Sequence, residues 1–131
     1  MPIYPPGHWV NPESRPESAG PATAGRFSIA LEGARFDRHH HEVDELWFIS
    51  SGKAKILLEG VERYVQDGDI VLAPAGTVHD IVEVYEPVHG FFSETGHPAG
   101  GRTGHRYEPE SDAVGHEVPA LPLPADFPVR D

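Results

Sequence analysis

Cysteine is absent from the 131 residues, which excludes disulfides, thiolate metal ligands and a cysteine nucleophile. Positive charge is scarce: ten Lys and Arg against 21 Asp and Glu leave a net charge of -11. A chain so acidic is a poor partner for nucleic acid or an anionic membrane surface, since both are polyanions. No apolar run approaches the length that crosses a bilayer, and the start, Met1-Pro-Ile-Tyr-Pro-Pro-Gly, lacks a basic segment followed by an apolar one. The expected compartment is therefore the cytoplasm. Missing as well is any sustained helical period, so the apolar residues have to be buried by strands.

Glycine and proline are abundant, with 14 of each, and they divide the chain unevenly. Residues 1–25 are rich in Pro, Gly and Ser and show neither period, which predicts an extended arm. From Arg26 the text becomes strand-like, with segments expected at 26–31, 35–41, 45–50, 54–59, 61–65, 70–73, 78–86 and 88–93. Their separators are turn pairs such as Glu-Gly, Ser-Gly and Asp-Gly, the punctuation of an all-β barrel or sandwich. Residues 94–131 form a second extended tail, in which Val118, Leu121, Leu123 and Phe127 can pack on the 26–93 barrel or on a neighbouring subunit. One domain is all that this length supports.

The chemistry concentrates in two stretches. The first runs from Gly33 through His39, His40, His41 and Glu45 to Gly52, and the second from Gly68 through Pro74 and Gly76 to His79. On a strand alternate side chains share a face, so His39, His41 and Glu45 have a common parity while His40 points away. Imidazole and carboxylate together suit one divalent ion of iron, manganese, zinc, nickel or cobalt, with His79 as a fourth ligand from another strand. Gly52, Gly68 and Gly76 belong to turns and support the fold, not the chemistry.

These two stretches resemble the paired signature motifs of the cupin family. Gly33, His39, His41, Glu45 and Gly52 fill every fixed place of the first motif; Gly68, Pro74, Gly76 and His79 fill the second, whose terminal asparagine is replaced here by Glu83. The resemblance implies a cupin-type double-stranded β-helix, a jelly-roll barrel, flanked here by the two Pro/Gly-rich arms, and commonly a homodimer. It also implies a metal held by His39, His41, Glu45 and His79.

Parity extended from these positions gives the remaining candidates. Trp47 follows Glu45 on the same face and reads either as a core aromatic or as a wall for substrate. Glu83 and Tyr85 follow His79 in the same way, and an interior carboxylate needs a reason to be there, so Glu83 is the expected catalytic base with Tyr85 as its partner. Arg26 and Arg35 are candidate anion clamps, and one of Phe91 and Phe92 lines the pocket, Phe91 being assigned to substrate. The expected function is Lewis-acid plus acid/base chemistry on a small oxygenated metabolite, of the isomerase, lyase, dehydratase or cyclase kind. An iron-dependent dioxygenase with the same ligands, and a non-catalytic metal or small-ligand binding module, are the alternatives.

Overall fold

The computed structural model describes residues 3–20, 22–95 and 104–130; parts of both expected arms therefore lie outside the described residues. The architecture is all-β. Strand β1 spans Ala22–Ile29, β2 Arg35–Phe36, β3 Glu45–Leu58, β4 Val61–Gln66, β5 Ile70–Ala73, β6 His79–Thr95 and β7 His116–Glu117, with a short 3-10 helix at Glu110–Val114. No helix among these residues is long and apolar enough to cross a membrane.

Two long strands organise everything else. β3 and β6 pair antiparallel from Glu45 opposite Glu94 to Leu58 opposite His79. The first part of β3 also pairs β5 and its second part pairs β4, while the last part of β6 pairs β1. The ladder thus bends across two layers and wraps one core of Ile29, Trp47, Ile49, Ala54, Ile56, Val65, Val71, Ile81, Val84, Val88, Phe92 and Val118, a jelly-roll arrangement. At the bend Gly52 has φ 103°, and a Cβ there would lie 2.2 Å from the Pro87 carbonyl oxygen, so only glycine lets β3 and β6 approach here.

Several expected breaks are bends. Segments 45–50 and 54–59 are one strand, as are 78–86 and 88–93, because register shifts at Ile49/Ser51 and Ser51/Lys53 turn the chain without ending the pairing. The expected 35–41 strand is shorter: β2 stops at Phe36, and His39 and His40 continue only as single bridges to His79 and Arg106. The proline-rich tail is more regular than expected, since it supplies β7 and the 3-10 helix.

Both arms lie on the barrel in cis. Val10 bridges Ala24 on the open edge of β1, and Trp9 meets Phe92 edge-on at 4.9 Å. In the tail Val118 and Phe127 are buried, whereas Leu121 and Leu123 are exposed. Main-chain bonds from Val84 N to Pro119 O and from Leu121 N to Val84 O pair the tail to β6, covering an edge that would otherwise be open.

A further clamp on the tail titrates. Buried Asp80 receives Arg38 Nε at 3.2 Å and lies 2.6 Å from His116 Nε2. Burial alone would lower His116, but its pairing with Asp80 outweighs this and holds the imidazolium above its ordinary value. A pKa raised in the folded state stabilises below the unfolded value of about 6.5 and ceases to do so as pH rises through the raised one. The urea midpoint of the wild type should therefore exceed that of His116→Gln at pH 6 and approach it by pH 9; parallel pH profiles would show that the pair contributes nothing.

Candidate metal centre

Segment 39–41 is pinned on three sides. His39 and His79 exchange main-chain hydrogen bonds, N to O at 3.1 and 2.8 Å, Gly76 N donates to His41 O at 2.8 Å, and His40 pairs with Arg106. The Pro74-Ala-Gly76 turn, with Gly76 at φ 80°, is thus what seats the first motif on the second. Glu45 enters as the first residue of β3. The four side chains are all buried, and one donor atom from each lies within 4.8 Å of the others.

The ring orientations are fixed from behind. His39 Nδ1 is bonded to the Asp37 carbonyl, His79 Nδ1 to the Thr77 carbonyl at 3.0 Å and His41 Nδ1 to the Gly104 carbonyl at 3.3 Å. A carbonyl only accepts, so each Nδ1 carries the proton and each Nε2 is left with its lone pair. His41 Nε2 and His79 Nε2 stand 3.1 and 3.3 Å from the two oxygens of Glu45. Neither is aligned to hydrogen-bond anything, although both are buried. Buried polar atoms that approach a carboxylate without bonding it fit a shared cation between them, and the three imidazoles and one carboxylate form a donor set for a first-row divalent ion.

The electrostatics favour the ligating form for Glu45 and His39, whereas without a cation His41 is drawn toward its protonated form by the carboxylates. Burial is the largest influence on Glu45 and would raise it, but the approach of His41 and His79 outweighs it and holds the carboxyl well below its usual range. Burial, then the charges of His79 and His105, pushes His39 down to about 3, so this imidazole stays neutral and able to ligate. For His41 burial would lower the value, and Glu45 and Glu94 together reverse it, giving a net rise. Trp47 Nε1 donates to Glu45 Oε1 at 2.7 Å and fixes the carboxylate from β3 itself.

The other expected site residues divide. Trp47 is buried and borders a cavity of about 190 Å³ that reaches His39 and Glu45. Glu83 and Tyr85 are not brought to the cluster. The register opposite Lys55 and Ile56 moves from Glu83 to Ile81, an extra residue at Val82, so parity reverses there: Ile81 and Val84 are both in the core. Glu83 consequently faces Lys55 Nζ at 3.3 Å and accepts from the Tyr85 hydroxyl at 2.5 Å, while the Tyr85 ring meets Phe127 of the tail at 5.9 Å. Arg35 is also elsewhere; it donates to the Val114 and Gly115 carbonyls and ties down the tail. Phe91 is 43% exposed beneath Arg26, and its neighbour Phe92 is the ring that lines the cavity, because even-numbered residues of β6 face inward from Val88 to Glu94.

Three functional candidates escaped the sequence reading. Glu94 is 1% exposed, sits opposite Glu45 across the ladder and lies 3.6 Å from His41 Nδ1. Parity from Phe92 would have reached it. His105 stacks on His39 with ring centroids 3.6 Å apart, and its Nδ1 lies 2.6 Å from Asp37 Oδ2. Tyr107 donates to the same Asp37 oxygen at 2.6 Å, a bond that pushes its hydroxyl up to about 12. No periodicity ties residue 105 to residue 39, so only the fold reveals this second group of Asp37, His39 and His105.

Comparison with known proteins agrees with this fold. The cupin domain family matches residues 26–91, half of the chain, and the protein belongs to the cupin family. An uncharacterized protein of Sinorhizobium fredii, y4oW, is 34% identical over 77 residues, 59% of this chain but only 36% of that protein's length. Among solved structures, a cupin 2 conserved barrel domain protein from Salinispora arenicola is 21% identical over 73% of this chain and 89% of its own, with a TM-score of 0.60. A cupin protein from Bacteroides fragilis is 20% identical over 79% and 83%, with a TM-score of 0.57. A cupin-like protein from Thermotoga maritima is 22% identical over 56% of each chain, with a TM-score of 0.51. At these identities the structures speak for the fold alone.

Because Glu83 is on the outer face, Glu83→Gln should leave metal retention unchanged and shift stability by less than about 1 kcal/mol, the scale of a solvent-accessible ion pair. Loss of bound metal in that variant, measured by elemental analysis, would return Glu83 to the site.

Proposed function

We propose that this cupin is a metal-dependent enzyme that acts on a small oxygenated molecule by Lewis-acid and acid/base chemistry, of the isomerase, lyase, dehydratase or cyclase kind. The observation that carries the metal assignment is the locking of three buried imidazoles by main-chain carbonyls, which leaves their Nε2 lone pairs free in a cluster whose donor atoms, with that of Glu45, lie within 4.8 Å of one another. When bound, a divalent ion would polarise a substrate oxygen and stabilise negative charge on it. His39, His41, Glu45 and His79 would hold that ion, and Trp47 would keep Glu45 oriented through its indole N–H.

What favours turnover over simple binding is the presence of further proton-carrying groups beside the cluster. Glu94 and His105 both border the same cavity. In this reading Glu94 takes the role expected of Glu83: its carboxyl oxygen accepts or returns the substrate proton, next to Glu45. Asp37 orients His105, and Tyr107 orients Asp37. A dioxygenase would use the same four ligands, so an oxygen electrode separates the two: the iron-loaded protein is expected to consume no oxygen with substrates that it converts, and stoichiometric uptake would favour oxygen chemistry.

His79 joins the other ligands from β6, so His79→Ala should leave a more open three-ligand site and weaken metal retention by at least about ten-fold in competition with a chelator. Unchanged affinity would remove His79 from the set. The assembly is proposed to be a homodimer in the cytoplasm. Phe48, paired in register with Ile70 and Phe91, and nearby Leu72 form an exposed apolar strip on the outer face of the sheet. Sedimentation at tens of micromolar is expected to give twice the chain mass; a strictly monomeric mass would contradict it.

A further inference from the structure

The walls of the cavity beside the cluster say more about the ligand than the cluster does. Among the described residues, five aromatic side chains border it: Trp9 from the N-terminal arm, Phe27 from β1, Phe36 from β2, Trp47 from β3 and Phe92 from β6. They form two packed groups, Phe27 with Trp47 at 5.4 Å and Trp47 with Phe36 at 5.9 Å, and Trp9 with Phe92 at 4.9 Å. Gly25 makes room for the arm: a Cβ there would lie 2.8 Å from the Trp9 ring and 2.9 Å from that of Phe92.

Charge and size narrow the occupant. The polar end holds the carboxylates Glu45 and Glu94. Arg26 borders the cavity from β1, but it is an exposed residue and its guanidinium carbon lies 5.0 Å over the ring of exposed Phe91. His105, a further basic residue on the border, is already held 2.6 Å from the carboxylate of Asp37. Among the described residues no cationic side chain without a carboxylate partner is therefore aimed inward to meet a phosphate, sulfonate or second carboxylate, and such a group would be desolvated without a partner. A volume of about 190 Å³ is close to that of an apolar cavity of about 150 Å³ known to take benzene. One six-membered ring with small substituents fits within that volume.

We propose that the cavity binds an uncharged, single-ring aromatic compound, its ring among Trp9, Phe27, Phe36, Trp47 and Phe92 and a hydroxyl or carbonyl oxygen directed at the histidine and glutamate cluster. Only the placement of that oxygen rests on the metal assignment made above; the ring site stands on the walls alone. The chain's two tryptophans both border the cavity, so their fluorescence reports occupancy directly.

Benzyl alcohol, phenyl phosphate and glycerol are titrated into chelator-treated protein, with excitation beyond the ligands' absorption. Benzyl alcohol should change the emission saturably, glycerol should not, and phenyl phosphate should bind at least about ten-fold more weakly. Trp9→Ala removes one wall at a residue that is 41% exposed, so the fold, checked by circular dichroism, should persist while benzyl alcohol binds about three- to ten-fold more weakly. Absence of saturable binding, equal binding of phenyl phosphate, or unchanged affinity in Trp9→Ala would each overturn the inference. Protein that keeps one equivalent of metal but binds no ring overturns this inference and spares the metal assignment; protein that binds the ring but never a metal does the reverse.

Discussion

The antiparallel ladder between β3 and β6 is the constraint on which the rest depends. It sets Glu45 opposite Glu94 at one end and Leu58 opposite His79 at the other. Because side chains alternate along a strand, every irregularity in this ladder decides which residues reach the interior. The shifts around Ser51 carry the inward face of β3 from Glu45, Trp47 and Ile49 to Ala54 and Ile56, and the extra residue at Val82 does the same for β6 between Ile81 and Val84. β1, β4, β5 and the tail then attach to edges that these two strands present, and the N-terminal arm attaches to β1.

On that frame the cluster is an expensive arrangement. Three imidazoles and a carboxylate with almost no solvent contact would cost several kcal/mol if left unpaired. The chain offsets part of this with main-chain carbonyls behind each ring and an indole behind the carboxylate. It leaves the inward atoms of His41 and His79 without a hydrogen bond. Polar groups restrained on their outer side and unsatisfied on their inner side are arranged for a ligand, and the depressed values of Glu45 and His39 keep both in the form that ligates. The aromatic cavity continues from the same point, so recognition by shape and activation by charge would act on opposite ends of one small molecule.

The fold class and the cluster were legible because both rest on local spacing: turn glycines, strand alternation and two short motifs in the right order. What could not be read is whatever depends on a bulge or on distant packing. Glu83 was placed inside by counting from His79, and one extra residue put it against Lys55 instead. Phe91 and Phe92 face opposite ways, as alternation requires, but which one faces in depends on the several register shifts between Val82 and Phe91. Arg35 looked like an anion clamp, yet the carbonyls of the 3-10 turn in the tail claimed it. Trp9 in an apparently featureless arm and His105 in an apparently featureless tail reached the cavity through single bridges, at Val10 with Ala24 and His40 with Arg106, that no sequence period announces. Glu94 lies on the face that alternation from Phe92 predicts, beyond the last position of the second motif.

The central claim is that His39, His41, Glu45 and His79 converge on one metal ion through nitrogen and oxygen donors. X-ray absorption spectroscopy of protein loaded with one equivalent of a divalent first-row metal tests it most directly. The account predicts a first shell of nitrogen and oxygen only, with outer-shell scattering from about three imidazoles, at the distances of about 2.0–2.2 Å usual for such ligands. A shell without imidazole scattering, or protein that releases the ion on simple dialysis, would contradict it.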